Sequence, residues 1–80
     1  MIAMHDLRIG DTIFYKLRPQ DLPTDPDKLW KGRVRSVIVD SPRYVDSLVV
    51  DILEPGFEDD TEIVYPEQLV SVQPGESATH

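Results

Sequence analysis

The sequence predicts an all-β fold: a small antiparallel barrel of five strands, with one short 3₁₀ turn before the last strand. Three observations carry this reading. First, the seven prolines (Pro19, Pro23, Pro26, Pro42, Pro55, Pro66 and Pro74) all lie between the apolar segments and never inside them, as ladder strands require. Second, those segments are rich in Val, Ile, Tyr and Phe, side chains that suit a pleated surface. Third, no segment sustains an apolar pattern at i, i+3, i+4 and i+7 over the length of a helix.

The elements follow in order. Strands are expected within residues 11–17 (DTIFYKL), 29–40 (LWKGRVRSVIVD), 44–53 (YVDSLVVDIL), 61–65 (TEIVY) and 69–73 (LVSVQ). Residues 40–44 (DSPRY) read as a tight turn that joins the two longest strands into a hairpin. Residues 18–28 form a long, acidic, proline-stiffened loop, and residues 54–60 (EPGFEDD) a second loop with Gly56 free to take a positive φ. Pro66 opens a single 3₁₀ turn. Alternation places Trp30, Gly32, Val34 and Ile38 of the second strand on one face. Tyr44, Leu48, Val50 and Ile52 of the third share a face in the same way. Together with Ile13, Tyr15, Leu17, Leu69 and Val72 these make the expected interior, with Gly32 where two backbones approach closely. The domain plan is a tail at 1–5, the barrel at 6–73 and a polar tail at 74–80 that frays.

Composition bounds the function. The 80 residues make one domain near the size where a single core becomes marginal. There is no cysteine, which excludes disulfides, thiolate zinc sites and thiol catalysis. The longest apolar runs are too short to span a bilayer, and the first residues lack the basic start and apolar stretch of a signal peptide. A cytoplasmic protein without membrane contact is the expectation. The net charge is −7 and is unevenly spread. Residues 1–43 hold all eight basic side chains and six acids, whereas residues 44–80 hold nine acids and neither Lys nor Arg. Overall acidity works against loose binding to nucleic acid, although a local basic patch is compatible with so dipolar a chain.

Three short motifs, Gly-Asp-Thr-Ile at 10–13, Trp-Lys-Gly-Arg-Val at 30–34 and Tyr-Pro-Glu-Gln-Leu-Val at 65–70, resemble SH3-like small barrels, most of all their KOW- and Tudor-like branches. The resemblance covers roughly residues 6–73. It implies the fold and leaves the ligand open, because this architecture serves protein, RNA, DNA and small-molecule binding. A partial resemblance to the plasmid-borne type II dihydrofolate reductases is also present. Those tetrameric barrels carry Gly-Asp-x-Val, Trp-x-Gly-x-Ile and Val-Gln-Ile-Tyr-Pro. Tyr65 and Pro66 match, and Val64 stands in for the Ile. Ile63 falls where the active-site Gln of that family contacts ligands, so the polar group is replaced by an apolar one.

Catalytic and metal chemistry find little support. The two histidines, His5 and His80, lie near the ends of the chain, away from a rigid scaffold. Asp21, Asp25 and Asp27 form one acidic group, and Glu58, Asp59, Asp60 and Glu62 another. Neither follows a cation-binding loop pattern, so both read as solvated loop acids. No enzyme activity and no cofactor are expected.

Two surfaces remain as candidates. Lys31, Arg33 and Arg35 alternate along the second strand and so share its outer face. With Lys16, Arg18 and Arg43 they form a candidate strip for an anion or nucleic acid. Pairing of Val34 with Val50 sets Arg33 opposite Asp51, and a slip by two sets Arg35 there; in either register part of the strip is neutralised inside the sheet. The same outer face carries Val37, Val39, Val45, Val49 and Leu53. These, with Tyr44 and Phe57 at loop tips, are the candidate partner-binding residues. A bulge near Ser36 that turns some of the valines inward is an equal alternative. Otherwise the patch is covered by residues 1–4 or by another chain. The favoured reading is a small binding module for a protein partner or for itself as a homo-oligomer. A nucleic-acid module that uses the basic strip is the alternative, and a reductase-like enzyme a remote one.

Overall fold

A computed structural model of the chain describes residues 4–21, 25 and 27–74. The expectations for residues 1–3, for part of the long loop and for the tail at 75–80 lie outside them. The five expected strands are present: β1 Thr12–Tyr15, β2 Trp30–Ile38, β3 Ser47–Ile52, β4 Thr61–Val64 and β5 Leu69–Gln73. Three 3₁₀ turns accompany them: η1 Met4–Asp6, η2 Pro19–Asp21 and η3 Pro66–Gln68. Every strand pairs antiparallel with its neighbours in one sheet of order β4-β3-β2-β1-β5. Among the described residues no helix is long and apolar enough to cross a membrane.

The entry to β1 is set by four residues. The Asp11 N–H donates to the Arg8 carbonyl at 3.1 Å, and Gly10 sits between them at φ +99°, a conformation that glycine adopts without steric cost. The Asp11 carboxylate accepts from the Arg8 N–H at 3.0 Å, which closes the turn from both sides. The Gly10 N–H then donates to the Val34 carbonyl, and the Val34 N–H to the Asp11 carbonyl. The turn is therefore stitched onto β2.

The core lies on one face of the sheet. Ile13, Tyr15, Val34, Leu48, Val50 and Val64 are fully buried, and Met4 and Leu7 fold over them from the N-terminal side. Burying each such side chain contributes on the order of 1.5–3 kcal/mol. Gly32 belongs to the same face, opposite Ile13 on β1 and Ile52 on β3. A Cβ at Gly32 would stand 2.8 Å from Val50 Cγ2 and 3.3 Å from the Asp51 carbonyl oxygen. The close approach expected from the sequence is a space that the Val50 side chain already fills.

Three expectations need correction. The pairing Val34–Val50 is followed by Ser36–Val49, so Arg35 is an extra residue without a partner across the ladder. Beyond this bulge the alternation inverts. Val37 and Val39 pack against the core, whereas Ile38 stands across from Ser47 on the opposite face and is not a core residue. Secondly, β3 begins at Ser47 rather than Tyr44, so the connection from β2 is longer than a tight turn, and Tyr44 is exposed instead of lining the interior. Thirdly, Met4 is buried in the core, so packing begins within the segment read as a tail.

Gly32→Ala is expected to lower stability by about 1–3 kcal/mol, because the added methyl forces a fully buried valine aside. Urea unfolding monitored by circular dichroism measures this as a lower midpoint at unchanged slope.

Candidate functional site

The connection between β2 and β3, residues 39–46, is built to hold its tip outward. Asp40 takes a left-handed φ of +56°, which Asp tolerates better than most side chains. Its N–H donates to Asp46 Oδ1 at 3.2 Å, which ties the two ends of the loop together. Ser41 Oγ accepts from the N–H groups of Arg43 and Tyr44, each at 3.2 Å, an arrangement that turns the chain at Pro42. Ser47 Oγ donates to the Val45 carbonyl at 3.3 Å. What the loop presents is apolar: Tyr44 is 65% exposed and Val45 69%. Between Asp40 and Asp46, which tie the ends of the loop, Arg43 is the one charged residue.

The loop is also tied to the N-terminal 3₁₀ turn. His5 Nε2 lies 2.7 Å from Asp40 Oδ2. The hydrogen bond to Asp40 and its charge raise the His5 pKa above the usual 6.5, with smaller help from Asp46 and Asp6. A histidine whose folded pKa is raised stabilises fully below the unfolded pKa, and its contribution is lost as pH rises through the folded value. Both side chains are exposed, so the link sets loop position more than global stability.

Beside the tip, Val45, Asp46, Tyr65, Pro66 and Glu67 line an open groove of about 470 Å³. Behind this wall, Gln68 fastens the backbone of Tyr65. Its side-chain Oε1 accepts from the Tyr65 N–H and its Nε2 donates to the Lys16 carbonyl, both at 2.9 Å. The Lys16 N–H returns a bond to the Gln68 carbonyl. Gln68 is buried with both ends of its amide used, so it fastens η3 to the residue that follows β1. The Arg18 guanidinium lies 4.6 Å over the Tyr65 ring, a cation–π contact that further settles this wall.

A second cluster gathers at the other end of the sheet. Trp30 is half-buried against the core, and Phe57 meets it edge-on with centroids 5.4 Å apart. Lys28 Nζ sits 4.4 Å over the Trp30 ring and 3.3 Å from Glu54 Oε1. Glu54 also accepts the Lys31 N–H at 3.3 Å. Phe57 is thus 38% exposed yet has its own contact, and Leu53 lies in a shallow groove with Glu54, Pro55 and Glu58. The Gly56 φ of +91° turns this loop as expected.

The six candidate cations come from three parts of the chain. Lys31, Arg33 and Arg35 are exposed along β2, but the bulge swings Arg35 onto Asp51 at 3.2 Å, although Arg33 is the ladder partner of Asp51. Arg43 belongs to the β2–β3 loop, and Lys16 and Arg18 leave from the end of β1. Among the seven apolar candidates, Tyr44 and Val45 stand free of the core, Val49 is half-buried on the outer face, and Val37 and Val39 belong to the core side. Ile63, singled out in the sequence only through the partial reductase resemblance, is 53% exposed. Its parity against Val49 was the available signal. The core holds a polar group. Tyr15 is fully buried with its hydroxyl unpartnered, and burial, helped by Glu62 and Glu54, pushes that hydroxyl above its ordinary range. Among the described residues no group of three or more His, Cys, Asp or Glu is arranged to hold a metal ion.

Compared with known protein families, curated proteins and solved structures, the chain finds no match.

Two measurements test this construction. Gln68→Leu is expected to destabilise the fold by about 1–2 kcal/mol, because a partly buried N–H and carbonyl lose their partner; thermal or urea unfolding reads the change. In an NMR titration the His5 ring is expected to protonate above 6.5, and Asp40→Asn to bring it back toward the ordinary value.

Proposed function

We propose that the chain is a non-enzymatic binding module of SH3-like type that engages a protein through the β2–β3 loop tip and the adjoining groove. The fold part of the reading is supported by the strand order and by the 3₁₀ turn between β4 and β5, together with the Gly-Asp turn that opens β1. The functional part rests on one observation. An aromatic and an aliphatic side chain, Tyr44 and Val45, are held in solvent by a loop whose own hydrogen bonds keep it from folding them away. Exposed apolar side chains on an ordered loop, next to a concave surface, have the makings of an interface centre. Tyrosine supplies large contact area at small entropic cost.

A nucleic-acid reading keeps one supporting observation: Lys31 and Arg33 are exposed side by side on the outer face, and neither is in an ion pair among the described residues. The nine acids of residues 44–80 oppose it.

The double substitution Tyr44→Ser with Val45→Ser is expected to abolish recovery of protein partners from native lysate, with the circular dichroism spectrum unchanged. Nuclease treatment is expected to leave wild-type recovery intact. Recovery that survives the double substitution removes the loop reading. Recovery that disappears with nuclease and with Arg33→Ala moves the function to nucleic acid.

A further inference from the structure

We infer that the free edge of β4 accepts an extended, basic segment of a partner protein as a sixth strand. This rests on the reading of the chain as a protein-binding module, but on a different surface from the Tyr44–Val45 tip. Among the described residues β4 pairs only with β3, so the N–H and C=O groups of its outer edge face no neighbouring strand. The row Ser36–Val49–Ile63 runs across the outer face from β2 to β4. It ends at Ile63, which is 53% exposed because no strand follows it. An added strand would continue the row and cover that side chain.

The charge around this edge decides the occupant. Glu58, Asp59 and Asp60 lead into β4, and Glu62 stands within it. Glu62 is opposite Val50, so it leaves the strand on the core-facing side, and its charge is felt at the Tyr15 hydroxyl. A charge that points inward on an edge strand blocks indiscriminate pairing. A second copy would bring the same acids against these and is repelled. A strand that carries Lys or Arg at the matching positions is attracted. The opposite edge, β5, has Ser71 and Gln73 on its outer face and an exposed Val70 at its register shift, with no charge to select a partner.

Antiparallel register turns this into a pattern. The partner residue opposite Ile63 is aliphatic, the next one, opposite Glu62, is basic, and the third after the aliphatic residue, opposite Asp60, is basic as well. The probe is therefore Ac-Thr-Val-Ile-Lys-Thr-Lys-amide, titrated into the ¹⁵N-labelled chain at low salt. Amide signals of residues 61–64 are expected to shift saturably, and Glu62→Gln with Asp60→Asn to weaken binding about threefold to tenfold. Two versions of the peptide, N-methylated at one or the other set of alternate residues, give the sharper reading. An added strand uses only one set of amides, so one version keeps its affinity and the other loses it. Three outcomes overturn the inference: no saturable shift in residues 61–64, equal binding of both N-methylated versions, or β4 signals that change with chain concentration alone. The Tyr44→Ser, Val45→Ser variant is expected to bind the peptide as the wild type does. Loss of partner capture in that variant with peptide binding intact therefore separates the two surfaces.

Discussion

One extra residue governs the surface of this protein. Because Arg35 has no counterpart on β3, the side chains beyond it exchange faces. Val37 and Val39 go to the core, and Ser36 and Ile38 go outward. Without the bulge, two valines would stand in water beside three cations. With it, the core gains aliphatic contacts at the far end of the longest hairpin, and Arg35 is carried to within 3.2 Å of Asp51. The pair is exposed and contributes at most a small fraction of the stability. The inversion of parity is what matters, since every side chain from Ser36 onward inherits its side from it.

At the bulge the sequence left two readings open, and the structure has the one in which a bulge near Ser36 turns Val37 and Val39 inward. Strand existence was readable from proline placement and β-branched runs, and β5 matches its expected span residue for residue. The crowded Gly32 was readable as well, because it has a local steric cause. Alternation, by contrast, is a rule about uninterrupted ladders. A single unpaired residue breaks it, and no side chain in Val-Arg-Ser announces the break. The length of the β2–β3 loop was hidden for a related reason. Tyr44 and Val45 have strand-forming side chains, but Ser41 and Asp46 claim the backbone N–H groups of the loop. Side-chain acceptors outcompeted the ladder.

The candidate surfaces were legible only in part. Tyr44, Val45 and Phe57 were recognisable as aromatic or aliphatic groups near turns, and two of them stand well exposed. The basic strip was visible as alternation, but the pairing of Arg35 with Asp51 depended on the bulge. Ile63 was singled out by resemblance alone; its exposure is a property of sheet order, and the same residue on a central strand would be covered. Gln68 carries no signal at all in sequence, since its role depends on a carbonyl 52 positions away along the chain.

The position of β1 has a consequence for how the chain is made. This strand, formed from residues 12–15, lies between β2 and β5. Its first neighbour is synthesised soon afterwards, but its second is the last strand of the described chain, and Gln68 fastens the two only then. Until residues near 73 have left the ribosome, β1 is itself an edge, with Ile13 and Tyr15 incompletely covered. Closing so long a loop delays the final pairing. During synthesis this small sheet therefore depends on its last few residues to hide its first strand.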